Sequence, residues 1–145
     1  MLRTLTLILI MLSSTTFAQL PVKGNNLIKG YFEMEDSALL KTVVKEMMEQ
    51  GWSIKDSDNE LHYANTYSRQ MKKYNTQMAL MISINRNCLS IRGVWNNETY
   101  SQILSTSNTR VVWAKSTGNI NYEMWQMMDN LVKSLKPISV EYLTE

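Results

Sequence analysis

The stretch 36-DSALLKTVVKEMMEQGWSIKDSDNELHYANTY-67 decides the fold, because a helical pattern ends within it and a strand pattern begins. Apolar residues in its first half come in pairs four residues apart, which places them on one broad face of a helix. Asp36 is predicted as the N-cap, and Gly51 as the left-handed residue that ends the helix. Trp52 then opens a strand that turns back at residues 56–59. The stretch therefore predicts an amphipathic helix followed directly by a β-hairpin, whose sheet must cover the apolar face of the helix.

A second hairpin follows with the clearest alternation in the chain. Residues 78–85 alternate between larger apolar and smaller or polar side chains, and residues 89–95 do the same after a turn at 85–87. Helical spacing returns at 121–136, Pro137 stops this helix, and a last alternating strand follows. The predicted architecture is α+β in two layers: an antiparallel sheet of five or six strands with two amphipathic helices on one face.

The order of these elements is strand, helix, two hairpins, helix and strand. It resembles the order in small exported domains of unknown function with a fold like one repeat of the TATA-box-binding protein. The resemblance covers most of residues 27–145 and consists of the element order, without a shared motif. It implies a fold, and it transfers no functional residue to this chain.

Residues 1–18 have the pattern of a secretory signal peptide. Arg3 supplies a positive start, residues 5–12 form a short apolar run, and small residues lead to Ala18. The run is far shorter than the roughly 20 residues that a membrane-spanning helix needs. We therefore expect cleavage between Ala18 and Gln19, and export to the periplasm or out of the cell.

The rest of the chain is predicted as a short lead and one domain. Residues 19–26 contain proline, glycine and two asparagines and are predicted as a flexible lead, and residues 27–145 as a single domain that does not span a membrane. The formal net charge of +2 at pH 7 gives no electrostatic case for binding nucleic acid. Cys88 is the only cysteine, so no internal disulfide can form. Its side chain is predicted to be buried, and the alternative is a crosslink between two copies of the chain.

No catalytic or metal-binding constellation is predicted. The acidic residues at 56–60 alternate as at the start of a calcium loop, but Leu61 stands where that loop needs glycine and Tyr67 where it needs glutamate. His62 is the only histidine, and one His with one distant Cys cannot form a usual zinc site. A hydrolase that pairs Cys88 with His62 is an alternative, because both are expected on strands of one sheet. The leading prediction is no enzyme activity and no cofactor.

Methionine is abundant, with 11 residues in the chain, and several fall on the predicted helices. Flexible thioethers can fill an irregular core, adapt to varied apolar ligands, or bind Cu(I). All three interpretations stay open for the candidate ligand-binding set, which combines inner-stripe methionines with two strand tryptophans: Met47, Met124, Met127, Met128, Trp95 and Trp113.

Two binding functions follow from these patterns. The leading hypothesis is a non-enzymatic exported module that binds a protein or an apolar ligand through the tryptophans, Tyr100 and Met127. The alternative is a structural envelope protein that forms a homodimer or larger assembly through an exposed edge strand, with residues 27–34 and 138–143 as the two candidate edges.

Overall fold

A computed structural model describes residues 19–97 and 109–145, so the predicted signal peptide (residues 1–18) and Tyr100 lie outside the described residues. In chain order the elements are β1 (Leu27–Tyr31), α1 (Asp36–Glu49), β2 (Ile54–Asp58), β3 (Tyr63–Thr66), β4 (Arg69–Met71), a short 3-10 helix (Lys72–Tyr74), β5 (Thr76–Asn85), β6 (Cys88–Asn97), β7 (Thr109–Arg110), α2 (Ile120–Ser134) and β8 (Ser139–Leu143). The strands form one antiparallel sheet of eight strands, which confirms the predicted α+β class. Six strands follow one path, β2-β3-β5-β6-β1-β8, while β4 pairs with β5 and β7 with β6.

The hairpin of β5 and β6 forms the centre of the sheet. Ten residue pairs join the two strands, and the last pair is Asn85 with Cys88. Alternate residues of β5 are buried, so one face of the sheet is covered and the other faces solvent. Arg86 and Asn87 make the turn with φ of 52° and 61°, the two-residue geometry that matches the twist of the strands.

Helix α1 ends as the sequence predicts. Gly51 has a φ of +82°, and its N–H donates to the carbonyl of Met48 at 3.0 Å. The N–H of Trp52 donates to the carbonyl of Met47 at 2.9 Å, which completes a Schellman ending. Trp52 and Met47 are both buried, so this sharp reversal belongs to the core.

The start of α1 differs from the prediction, and the assignment of Asp36 as N-cap is wrong. Glu35 occupies the N-cap position without a side-chain cap hydrogen bond, and Asp36 is the first helical residue. The Asp36 carboxylate instead accepts from the backbone N–H groups of Asn87 at 2.6 Å and Arg86 at 3.0 Å. Successive backbone N–H groups in a tight turn form a concave anion site. The Asp36 carboxylate occupies this site and stabilises the β5–β6 turn.

Both helices pack on the covered face of the sheet. Their inner residues form one apolar cluster with the buried residues of the strands. Gly93 of β6 gives α2 room to approach, because a Cβ there would lie 2.7 Å from Val111 Cγ2 and 2.8 Å from Met128 Sδ. Within the described ranges, neither helix has the length and apolar character needed to cross a bilayer.

Candidate functional site

Three of the candidate methionines lie in the core. Met47, Met124 and Met128 have no exposed surface, so a ligand at the surface of the folded protein cannot touch them. Core packing is thus the interpretation that fits these three side chains. Met127 is half-buried and packs against the same core.

The two candidate tryptophans keep part of their surface exposed. Trp95 and Trp113 are half-buried and pack against the core cluster. The indole Nε1 of Trp95 is buried and has no hydrogen-bond partner among the described residues. Ligand contact at Trp95, Trp113 and Met127 stays a prediction.

Cys88 lies beside Tyr31, whereas His62 lies beside Asp36. Cys88 is half-buried on the solvent face of the sheet, opposite Tyr31 of β1, and burial raises the pKa of its thiol. The Nδ1 atom of His62 lies 3.8 Å from Oδ2 of Asp36. A nucleophilic cysteine needs a lowered pKa and a base within reach, and the surroundings of Cys88 act in the opposite direction.

The acidic residues at 56–60 hydrogen-bond to neighbouring groups of the same hairpin. Asp56 and Asp58 lie within β2, so the predicted turn at residues 56–59 is wrong, and the chain turns back after Asp58. Oδ1 of Asp58 accepts from the N–H groups of Glu60 at 2.7 Å and Leu61 at 2.9 Å. Oδ1 of Asp56 accepts from Nδ2 of Asn65 at 2.7 Å. Across residues 19–97 and 109–145, no group of three or more His, Cys, Asp or Glu side chains is placed to hold a metal ion.

A groove along the outer edge of β8 combines apolar walls with free backbone groups. It encloses about 540 Å³ between the lead, the second half of α2, and β8, and we call it the β8 groove. Its apolar walls include Leu20, Pro21, Ile138 and Val140. Leu20 is 79% exposed and Ile138 is 54% exposed, so the groove presents two large apolar side chains to solvent.

Strand β8 is an edge strand, as predicted for residues 138–143. Residues 27–34 are not the second edge, and that prediction is wrong, because β1 lies between β6 and β8. In an antiparallel pair, alternate residues direct their N–H and C=O groups to opposite sides. Tyr142 directs both groups outward, and Val140, two residues earlier, has the same orientation. The outward N–H and C=O of Val140 have no hydrogen-bond partner among the described residues.

The side chain of Gln19, in the lead, makes the two hydrogen bonds to Tyr142 that a neighbouring strand would make. Its Oε1 accepts from the Tyr142 N–H at 3.2 Å, and its Nε2 donates to the Tyr142 carbonyl at 3.4 Å. A carboxamide carries a donor and an acceptor like a peptide group, so these two bonds are the pair that an added strand would make. The lead therefore covers the edge at Tyr142 and leaves it open at Val140.

Tyr142 and Asp129, which line the groove, are buried and hydrogen-bonded to each other. The hydroxyl of Tyr142 donates to Oδ1 of Asp129 at 2.8 Å, and Lys133 Nζ lies 2.6 Å from Oδ2 of the same carboxylate. Burial and then the hydrogen bond to Asp129 raise the pKa of Tyr142, so its hydroxyl stays protonated at neutral pH. Lys136 also lines the groove, and it has no acidic partner among the described residues, so the rim is positively charged.

Comparison of the sequence with protein-family models finds no matching family. Comparison with curated proteins also finds no match. The alternation at 138–143 predicted the strand of the groove, including Val140, but no pattern pointed to Gln19 or Asp129, because neither belongs to a local motif.

Proposed function

We propose that the protein is a non-enzymatic, exported interaction module that binds an extended segment of a partner protein along β8. The observation that carries this proposal is the outward N–H and C=O of Val140, which have no partner among the described residues. They lie beside an apolar groove, on an edge where Gln19 already makes strand-like hydrogen bonds. An added strand gains affinity from main-chain hydrogen bonds and specificity from pockets for its alternate side chains.

The walls of the β8 groove define the chemistry of the segment. Leu20, Pro21, Ile138 and Val140 line the same groove, so the segment should place a large apolar side chain in it. Burial of exposed apolar surface contributes roughly 25 cal/mol per Å² before the cost of association. Lys136 at the rim favours an acidic residue near the apolar one, through attraction that mainly speeds association.

Export of the module rests on residues 1–18. Their positive start, apolar run and small-residue end support cleavage by a signal peptidase after Ala18. In the mature protein, Gln19 would then be the first residue of the lead. The partner segment would belong to another protein of the periplasm or the extracellular space.

A second candidate is self-association, in which the β8 strands of two copies pair with each other. The unpaired backbone of Val140 favours this candidate as well, because a free edge is a template for a strand of any chain. Pairing across a two-fold axis would make the two β8 strands antiparallel.

Selection of extended peptides from a random display library against the purified protein tests the proposal. We expect enriched peptides with alternating apolar residues. The Val140→Pro variant removes the outward N–H and spares the pairing to β1, so it should weaken these peptides roughly tenfold, about 1.4 kcal/mol. Val140→Thr keeps the N–H and the branched shape, and as the matched control it should bind with little change.

Two results would overturn the proposal. One is a library that yields no binder, and the other is a set of peptides that bind folded Val140→Pro as tightly as the wild type. Circular dichroism establishes that the proline variant is folded. A concentration-dependent dimer in sedimentation velocity that Val140→Pro dissociates would overturn the binding of a foreign segment in favour of self-association.

A further inference from the structure

We infer that Gln19, the first residue of the lead, is an intramolecular competitor for the outer edge of β8, and that release of its side chain extends the site from Val140 to Tyr142. This inference rests on the function proposed above. The lead already makes at Tyr142 the two hydrogen bonds that a bound segment would make there. A partner segment and Gln19 therefore cannot both pair with Tyr142.

The far end of the lead is firmly attached. Nδ2 of Asn26 donates to the carbonyl of Glu145 at 3.2 Å, and Oδ1 of Asn26 accepts from the Glu145 N–H at 3.0 Å. Asn25 also contributes, because its Nδ2 donates to Oγ1 of Thr144 at 3.2 Å. Both asparagines are buried, at 4% and 8% exposure for Asn25 and Asn26 respectively.

The Gln19 end is attached much less firmly. Gln19 is exposed, and its two hydrogen bonds of 3.2 and 3.4 Å are at the long end of the usual range. Hydrogen bonds open to water contribute little net free energy, because water replaces each lost partner. The Gln19 side chain should therefore release Tyr142, while Asn26 keeps the rest of the lead, with the groove walls Leu20 and Pro21, attached to the domain.

The position of Gln19 explains why its release enlarges the site. Gln19 bonds to Tyr142 of β8, two residues after Val140, whereas Asn26 bonds to Glu145, which follows β8. A segment paired at Val140 is therefore blocked by Gln19 at Tyr142. With Gln19 in place, one residue of the edge offers outward groups, and after its release Tyr142 offers a second pair. The closed fraction of the lead lowers the apparent affinity for any segment that needs both residues.

Hydrogen exchange and peptide binding with the Gln19→Ala variant test the inference. The variant removes both bonds to Tyr142, so the Tyr142 amide should exchange faster with solvent when followed by NMR. Peptides that pair with both Val140 and Tyr142 should bind roughly three- to tenfold tighter, because they no longer compete with Gln19. Gln70→Ala is the matched control, since Gln70 is an exposed glutamine on β4, and it should change neither quantity.

The possible outcomes separate the inference from the proposed function. Unchanged exchange at Tyr142 would overturn the inference, and so would faster exchange without tighter binding of the peptides that Val140→Pro weakens. If neither the wild type nor Gln19→Ala binds any peptide in a Val140-dependent way, the proposed function itself fails.

Discussion

The two edges of the sheet, β2 and β8, are built in opposite ways. β2 carries Lys55, Asp56 and Asp58 within five residues, and its register shifts between Ile54 and Asp56. Charges and irregular pairing of this kind hinder the addition of another strand. β8 carries one charged residue, Glu141, and pairs regularly with β1 over five residue pairs. The β2 edge is thus unsuited to strand addition, whereas the β8 edge has the regular pairing that strand addition requires.

The support behind the two edges differs as well. β8 is held from the core side by the hydrogen bond of Tyr142 to the buried Asp129. β2 is held by the hydrogen bond between Asp56 and Asn65, which are both only half-buried. A strand that binds a partner needs a fixed backbone, because ordering it on binding would reduce the affinity. The β8 edge is therefore held by a buried hydrogen bond, and the β2 edge by a half-buried one.

The largest effect that we expect comes from removing the hydrogen bond between Tyr142 and Asp129. Asp129→Ala should lower the free energy of unfolding by about 2–3 kcal/mol, because it leaves the buried Tyr142 hydroxyl without its acceptor. Asp56→Ala, the matched change at the other edge, should cost about 0.5 kcal/mol, since water can replace the lost partner. Urea unfolding of both variants measures the difference. Equal costs would show that the two edges are supported alike.

A smaller effect should follow from removing the charges at β2. The double variant Lys55→Val with Asp56→Thr leaves a less charged edge, and we expect a weak new dimer with a Kd of roughly 1 mM. Sedimentation equilibrium of the variant and the wild type at matched concentrations measures this association. Lys115→Val, at an exposed position outside the sheet, is the control. A variant that associates no more than the wild type would mean that the register shift alone protects β2.

The smallest effect that we expect is on the pH dependence of stability, and it comes from a hydrogen bond between Tyr31 of β1 and Glu141 of β8. Tyr31 donates to Glu141 at 2.8 Å, and this hydrogen bond, followed by burial, raises the pKa of Tyr31 to about 12. The folded protein therefore holds the phenol proton more tightly than the unfolded chain, whose tyrosine has a pKa of about 10. The resulting stability is complete below pH 10 and is lost as the pH rises from about 10 to about 12.

Thermal unfolding followed across this pH range tests the contact. Tyr31→Phe should make the loss of stability above pH 10 less steep, because the variant has no proton to release there. Tyr67→Phe, a change at an exposed tyrosine, should leave the slope as in the wild type. An unchanged slope for Tyr31→Phe would show that the hydrogen bond between β1 and β8 contributes nothing to stability.

Features that depend on neighbouring residues could be predicted from the sequence. Gly51 ends α1 as expected because a Schellman ending involves only the residues around it. The pairing of β5 with β6 was predictable because the two alternating runs are joined by a short turn. The fold class followed from these local patterns taken together.

Features that depend on distant residues could not be predicted. The position of β1 inside the sheet depends on strand order, which alternation does not encode. Gln19 and Tyr142 are 123 residues apart, and no local pattern connects them. The stripe with Met124 and Met128 fits a core or a groove equally well, because the sheet that covers it decides between the two.

The contact of Asp36 with the β5–β6 turn has a consequence for how the sheet is aligned. Arg86 and Asn87 both adopt positive φ, which is costly for residues other than glycine. The Asp36 carboxylate compensates this cost from a position 50 residues upstream of Arg86. A peptide of the hairpin alone would lack that compensation and would have weaker control over its register. The alignment of the two central strands, and through them of β1 and β8, is therefore a property of the docked helix as well as of the strands.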